Sequence, residues 1–258
     1  MQAVTVPGTT PDSLPPRPRF SLIIPAYNEA RVLPRLLDSV DEAAARYHGG
    51  RAAVEVVVGD NASTDGTARI AEQRGCRVAR IDKRVIAAAR NGAARIARGD
   101  VLAFVDADTV IHAETFNAIE RAMAGGRAIG GATGVQLDRL SPGLAVTYAV
   151  MVTFVWITGM DTGVVFCRRQ DFETIGGYDE SLLYAEDVRL LLDLRRLGRT
   201  RGQRLVRLRP VKAIGSTRKF DERGDWHYFG LLWQAVPWLL FGRPLGPIAR
   251  EYWYDVSR

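Results

Sequence analysis

Several residue types that build redox, metal or membrane functions are scarce in this sequence. It has two cysteines, Cys76 and Cys167, far apart and outside any CxxC pattern. That excludes a disulfide scaffold and a CxxC redox motif, and it fits two small buried apolar residues in a reducing compartment. The three histidines, His48, His112 and His227, have no metal-ligand spacing. The apolar stretch "LAVTYAVMVTFVWIT" covers only residues 144–158. A bilayer span needs about 20 residues, so this stretch reads as a buried or interfacial helix. The opening "MQAVTVPGTTPDSLPPRPR" (1–19) lacks the apolar core of a signal peptide and reads as a disordered tail.

The chain has 258 residues, 47% hydrophobic and 25% charged, with a net charge of +6. That length supports one large α/β domain or two small ones. The positive charge suits acidic partners such as nucleotides, phosphates or anionic lipid, and equally suits plain solubility. No feature calls for a nucleic-acid partner.

Along the first hundred residues, apolar runs alternate with helical patterns. "FSLIIP" (20–25), "AVEVVVGD" (53–60), "CRVARID" and "VLAFVD" (101–106) read as strands. "EARVLPRLLDSVDEAAARY" (29–47), "DGTARIAEQRG" (65–75) and "RVIAAARNGAARIARG" read as helices, the second capped by Ser63 or Asp65 and stopped by Gly75. This alternation predicts an α/β fold with a mainly parallel central sheet flanked by helices. Further on, "AIGGATGVQL" and "GVVFCRR" read as strands, and "EDVRLLLDLRRLG" (186–198) as a helix stopped by Gly198.

In a parallel sheet, ligands bind beyond the carboxyl ends of the strands. Asp106 and Asp108 follow "VLAFV", Asp60 ends "VEVVVG", and "PAYNE" (25–29) follows "FSLII". A divalent cation such as Mg2+ or Mn2+ would offset the repulsion of the Asp106–Asp108 pair and bridge it to phosphates. The competing use of Asp108 is to cap the helix beginning near residue 113. "FVDADTV" also fits the nucleophile motif of haloacid dehalogenase-like phosphatases, but no later strand carries the acidic pair that chemistry needs.

Five stretches occur in a fixed order: "IIPAYNE" (23–29), "VGDNASTDGT" (58–67), "AARNGAARIARGDVLAFVDADT" (88–109), "GGYDE" (176–180) and "YAEDVRLLLDLRRLG" (184–198). Together they resemble family-2 glycosyltransferases with the GT-A fold, over roughly residues 20–220. The resemblance implies that Pro25, Ala26, Tyr27, Glu29 and Asp60 grip the nucleotide base. Arg90 would contact phosphate or base. Asp106 would approach ribose and metal, with Asp108 the principal metal ligand. Asp187 would be the general base, with Glu186 beside it; the competing role for both acids is compensation of the helix dipole. Asp161, Thr162 and Gly177 would lie on the acceptor or sugar side. Arg218 and Lys219 in "STRKF" (216–220) would close over the diphosphate, or else form a solvated basic loop. Asn61 replaces an acid of the family's usual "DDGSxD" and is left out of the site.

One base and no second nucleophile imply an inverting transfer from a nucleoside-diphosphate sugar, with a UDP-sugar first and GDP-mannose or dTDP-sugars open. "QRLVRL" (203–208) lacks the QxxRW signature of processive synthases, so one sugar per reaction is expected. A nucleotidyltransferase of related fold would want a glycine- and base-rich phosphate loop after the first strand, which "PAYNEARVLPR" is not. A non-catalytic nucleotide or glycan binder is the other alternative. The expected organisation is a tail (1–19), a GT-A domain (20–222) and an aromatic-rich helical segment (223–258). In that last segment, "YFGLLWQAVPWLLFG" (228–242) follows the arginine-rich 195–210. It suits either a peripheral contact with a membrane or a lid packed on the domain. The location expected is cytoplasmic, with membrane association open and the acceptor hydroxyl, lipid-linked or on a small glycan, unidentified.

Overall fold

The computed structural model describes residues 17–139, 161–182 and 185–217. Eight strands form one sheet: β1 (Phe20–Ala26), β2 (Val54–Asp60), β3 (Arg77–Arg80), β4 (Val101–Phe104), β5 (Thr109–Val110), β6 (Ala128–Leu137), β7 (Val165–Arg168) and β8 (Arg204–Gly215). The helices are α1 (Leu33–Arg46), α2 (Thr67–Gln73), α3 (Ile86–Ile96), α4 (Thr115–Ala124), α5 (Arg169–Thr174) and α6 (Glu186–Thr200).

The sheet order is β3-β2-β1-β4-β7-β6-β8-β5. The first four strands are all parallel, as the strand–helix alternation predicts. The remainder is mixed: β7 lies antiparallel to both neighbours and β5 antiparallel to β8, while β6 and β8 pair in parallel, so the sheet stays mainly parallel. Past β4 the strict strand–helix alternation ceases, and the parallel β6–β8 pair is joined by a long connection that carries β7, α5 and α6.

Every residue of β1 is buried, which explains its unbroken apolar sequence: helices cover both faces of the sheet. Leu22 and Ile24 pack with α1 and α4, whereas Ile23 points to the opposite core of α3 and α6. The structure shortens α1 at its start. Val32 and Leu33 donate backbone hydrogen bonds to Glu29 in a turn, and Pro34 sits in the first helical turn, where no amide is needed. Asp65, not Ser63, accepts the Thr67 amide at the start of α2, at 2.9 Å. The predicted stop at Gly198 is corrected: α6 continues to Thr200, and Gly202 takes the left-handed turn (φ +66°). Gly198 instead gives space, since a Cβ there would lie 3.0 Å from Ile129. Asp108 does not cap α4, which begins at Thr115 with no side-chain cap. The apolar stretch 144–158 and everything beyond Thr217 lie outside the described residues.

Helix α3 lies close on β2 because Gly59 has no side chain. A Cβ there would stand 2.3 Å from the Ala89 carbonyl oxygen, a backbone atom that cannot step aside. At Gly92 the obstacle is the mobile tip of Ile81. Gly59→Ala should therefore destabilise the protein by about 1–3 kcal/mol, the scale of overpacking. Gly92→Ala should cost less, because side-chain rotation and better helix propensity offset the clash. Chemical denaturation of the two variants checks the order.

Candidate active site

The parallel strands β1, β2 and β4 end on one edge, and the loops that follow them gather there. Two of these loops are laced together. The Asn28 amide donates to Ser63 Oγ at 3.1 Å, the Glu29 amide to Thr67 Oγ1 at 2.8 Å, and the Ala30 amide to Asp65 at 3.1 Å. In return the Thr64 amide donates to Asn28 Oδ1 at 2.8 Å. Asn28 adopts positive φ (53°), which asparagine tolerates, and so do Ala62 (59°) and Ala185 (56°, just before α6), for which it is costly. All three flank the predicted site, which is where such strain concentrates.

Asp60 ends β2 with 3% exposure, and its Oδ1 is buried with no hydrogen-bond partner among the described residues. Arg80 stands 3.8 Å from the other oxygen. A buried acceptor without a donor is costly unless a ligand supplies one. Asn61 is structural: its amide nitrogen donates to the carbonyls of Ile81 and Lys83, at 3.3 and 2.6 Å, and holds the β3–α3 loop to the end of β2. Arg84 of that loop lies over the Tyr27 ring, 5.0 Å from its centroid.

The centre of the site is Arg90, on α3, with its side chain 3% exposed. Nη2 donates to Asp106 Oδ1 at 2.7 Å, and Nη1 donates to Glu186 Oε1 at 3.0 Å and Asp187 Oδ1 at 2.8 Å. The sequence reading gave Arg90 to phosphate or base; here its terminal nitrogens serve three carboxylates, from β4's end and α6's start. The Tyr178 hydroxyl also donates to Asp187 Oδ1, at 2.8 Å, and its ring lies under the Arg90 guanidinium at 5.0 Å. Neighbouring Asn91 holds the "GGYDE" loop by donating to the Tyr178 carbonyl and accepting its amide, both at 2.9 Å. Gly177 makes this approach possible, with φ +75° and a hypothetical Cβ only 2.8 Å from Asn91 Oδ1.

Burial pushes the Asp187 carboxyl above the ordinary carboxylate range; Asp106 adds to the shift, while Arg90 and the Tyr178 hydroxyl oppose it. Glu186 is raised too, by burial first and then by Asp187, against Arg90. Burial opposes the charge on Arg90, yet the surrounding Asp187, Tyr178, Asp106 and Glu186 hold its pKa well above the usual value. Burial and the Asp187 charge likewise push Tyr178 up, so it remains a hydroxyl donor.

Asp106 keeps 48% of its side chain exposed, and Asp108 is half-buried two residues on. Among the described residues, no three or more His, Cys, Asp or Glu side chains form a metal cage. Two strand-end carboxylates fit a cation that takes the rest of its shell from water and phosphate. Asp161 lies apart from the Arg90 cluster in contacts, paired bidentately with Arg207 at 2.5 and 3.2 Å, and Thr162 beside it is exposed. Arg218 and Lys219 lie outside the described residues. Cys167 is buried as expected, whereas Cys76 is only half-buried, and burial lifts its thiol to about 11.

The family model for glycosyl transferase family 2 matches residues 21–154, just over half of the sequence and the part that supplies β1, β2, β4 and Arg90. The chain belongs to this family. The solved structures that resemble it have the GT-A fold. A mannosyltransferase, PcManGT from Pyrobaculum calidifontis in complex with GDP-Man and Mn2+, aligns with TM-score 0.63 at 22% identity, over 92% of this chain and 68% of that one. TarS from S. aureus, in complex with UDP-GlcNAc, aligns with TM-score 0.59 at 21% identity, over 78% of this chain. The alignment spans only 59% of that TarS chain. Glucosyl-3-phosphoglycerate synthase from Mycobacterium tuberculosis, with Mn2+, UDP and glucosyl-3-phosphoglycerate, aligns with TM-score 0.57 at 18% identity, over 90% and 82% of the two chains. A comparison with curated proteins gives no match. Among the described residues, no helix is long and apolar enough to cross a membrane.

Tyr178 and Asn91 stand inside quoted motifs yet were not picked out by sequence reasoning. Their signal was only proximity to Arg90 and to the paired glycines. Replacing Arg90 by Met should destabilise the protein by about 3–5 kcal/mol, because it strands buried carboxylates without a counter-ion. Urea unfolding at neutral pH reads this loss. A loss below about 1 kcal/mol would contradict the assigned role.

Proposed function

We propose that the chain is an inverting, divalent-metal-dependent glycosyltransferase. It moves a single sugar from a nucleoside-diphosphate sugar, a UDP-sugar first among the candidates, to an acceptor hydroxyl. The observation that carries this reading is the shared clamp of Arg90 on Asp106 and Asp187, which joins a strand-end metal carboxylate to a raised carboxylate at a helix start. The neighbours' complexes with UDP-GlcNAc, GDP-Man and Mn2+ support it.

On the donor side, Pro25, Ala26, Tyr27 and Glu29 line the base site, and Asp60 Oδ1 accepts a ring N–H. Mg2+ or Mn2+ on Asp106 and Asp108 would supply Lewis-acid stabilisation of the departing diphosphate. Arg218 and Lys219 are assigned to the same diphosphate. On the other side, Asp187 removes the acceptor proton. Both of its observed bonds fall on Oδ1, so Oδ2 is the oxygen assigned to that proton. A carboxylate above its usual range is a better base for a hydroxyl. Glu186 adds negative charge behind it, and Arg90 with Tyr178 fixes its orientation. Asp161, Thr162 and Gly177 belong to the acceptor or sugar side. A base without a second nucleophile gives inversion at the anomeric carbon. The proposed catalytic domain is 20–222, between a tail and the 223–258 segment, which covers the acceptor cleft or touches lipid.

Asp187→Asn should lower turnover by about 10²-fold or more while leaving nucleotide affinity nearly unchanged. Sugar-nucleotide turnover and calorimetry read the two quantities, and unchanged turnover would remove Asp187 from the mechanism. Its stability has a definite sign. The folded Asp187 pKa lies above the ordinary 3.8, so its charged form destabilises the fold. That destabilisation is absent at pH below 3.8 and grows as the pH rises through the folded value. The Asn variant should therefore melt no lower than the parent at pH 8, and the parent's kcat/KM should fall on acidification at a pH above the ordinary carboxylate value. Asp108→Asn should abolish metal-dependent nucleotide binding with the fold intact; a variant binding UDP and Mn2+ as tightly as the parent would refute the metal role.

A further inference from the structure

The β3–α3 loop, residues 81–85, is anchored more firmly than an exposed loop needs to be. The Ile81 amide donates to the Asp60 carbonyl at 2.8 Å, and Asn61 holds the carbonyls of Ile81 and Lys83. On the other flank, Lys83 Nζ pairs with Glu180 Oε2 of the "GGYDE" loop at 2.6 Å. Glu180 in turn accepts from Asn91 at 3.0 Å. The loop is thereby fixed between β2's end and the acceptor-side loop. Arg84, exposed at its tip, has its guanidinium over the Tyr27 ring at 5.0 Å. Asp60 pairs in register with Ala26, the residue before Tyr27, and its Oδ1 is buried with no hydrogen-bond partner among the described residues.

Resting on the donor reading above, we infer that Arg84 forms the second face of a nucleobase clamp, closing on the base opposite Tyr27. Without ligand, the guanidinium lies on the aromatic face that a base would use. A planar cation and a phenol ring can both stack on any base, because every base presents a π-face. The backbone under Arg84 is already fixed, so closure needs only rotation of its side chain. This keeps the ordering cost of binding low. The division of labour follows: Tyr27 and Arg84 supply affinity, and Asp60 reads the base edge through a ring N–H. Asp60 therefore favours uracil, thymine and guanine over cytosine and adenine, whose ring nitrogens at that edge are acceptors.

The test uses the full chain with MnCl2 and calorimetric titration of UDP, GDP and, as a probe without a base, inorganic pyrophosphate. Arg84→Ala should weaken the nucleoside diphosphate that the parent binds by about tenfold, the scale of one lost stacking or cation–π contact. Pyrophosphate affinity should stay within twofold. Arg84→Lys, which keeps the charge and loses the plane, should recover only part of the loss. Unchanged nucleotide affinity in Arg84→Ala would overturn the clamp. An equal loss for pyrophosphate, or full recovery by Lys, would also overturn it, because Arg84 would then act as a charge on the diphosphate. A parent that binds no nucleoside diphosphate at all would instead overturn the donor reading, and the clamp with it.

Discussion

One buried guanidinium organises this molecule. Arg90 is the shared partner of Asp106, Glu186 and Asp187, and through Tyr178 it also orders the "GGYDE" loop that precedes α6. Placing three carboxylates around one arginine leaves excess negative charge in a poorly solvated place. The fold tolerates it because the guanidinium is planar, always charged and rich in donors, whereas a lysine offers only a point charge. Burial first, and the neighbouring carboxylates second, hold Asp187 and Glu186 above their usual range. The same imbalance leaves the site attractive to a further cation on its exposed side, at Asp106.

The geometry that allows this begins in the sheet. Parallel strands β1, β2 and β4 bring Pro25–Ala26, Asp60 and Asp106 to one edge. Gly59 lets α3 settle close enough to β2 for Arg90 and Asn91 to reach across to the second half of the chain. Arg90 lies 96 and 97 positions from its partners on α6, so these contacts knit the parallel and mixed halves together. The loops after β2 and β3 and the "GGYDE" loop are thus not independent: Asn61 fixes the loop carrying Lys83, and Lys83 pairs with Glu180.

Much of this was legible in the sequence. Continuous apolar runs ending in Asp60 and Asp106 located the strand ends, and strand–helix alternation gave the parallel half. The family resemblance singled out Arg90 for phosphate or base and Asp187 as the base; the structure brings the two side chains together, with the Arg90 nitrogens on carboxylates. Local patterns carry no information on which distant acid an arginine will meet, so that network was not legible. β7 is legible as a strand, but its antiparallel direction is not, because a short apolar run reads alike in either direction. Gly198 misled because a glycine near a helix end can serve packing as well as termination. Arg84 had no signal at all, since a lone arginine in a loop is indistinguishable from solvated charge until Tyr27 is found beneath it.

The central claim is that Arg90 exists to neutralise Asp187 and Glu186, and a mutant cycle in unfolding free energy tests it most directly. Arg90→Met would be compared alone and combined with Glu186→Gln and Asp187→Asn, neutral side chains that need no counter-ion. The account predicts strong coupling: most of the stability lost in the single variant returns in the triple variant, because the stranded charges are gone. Additive losses, with the triple variant less stable than Arg90→Met alone, would contradict it.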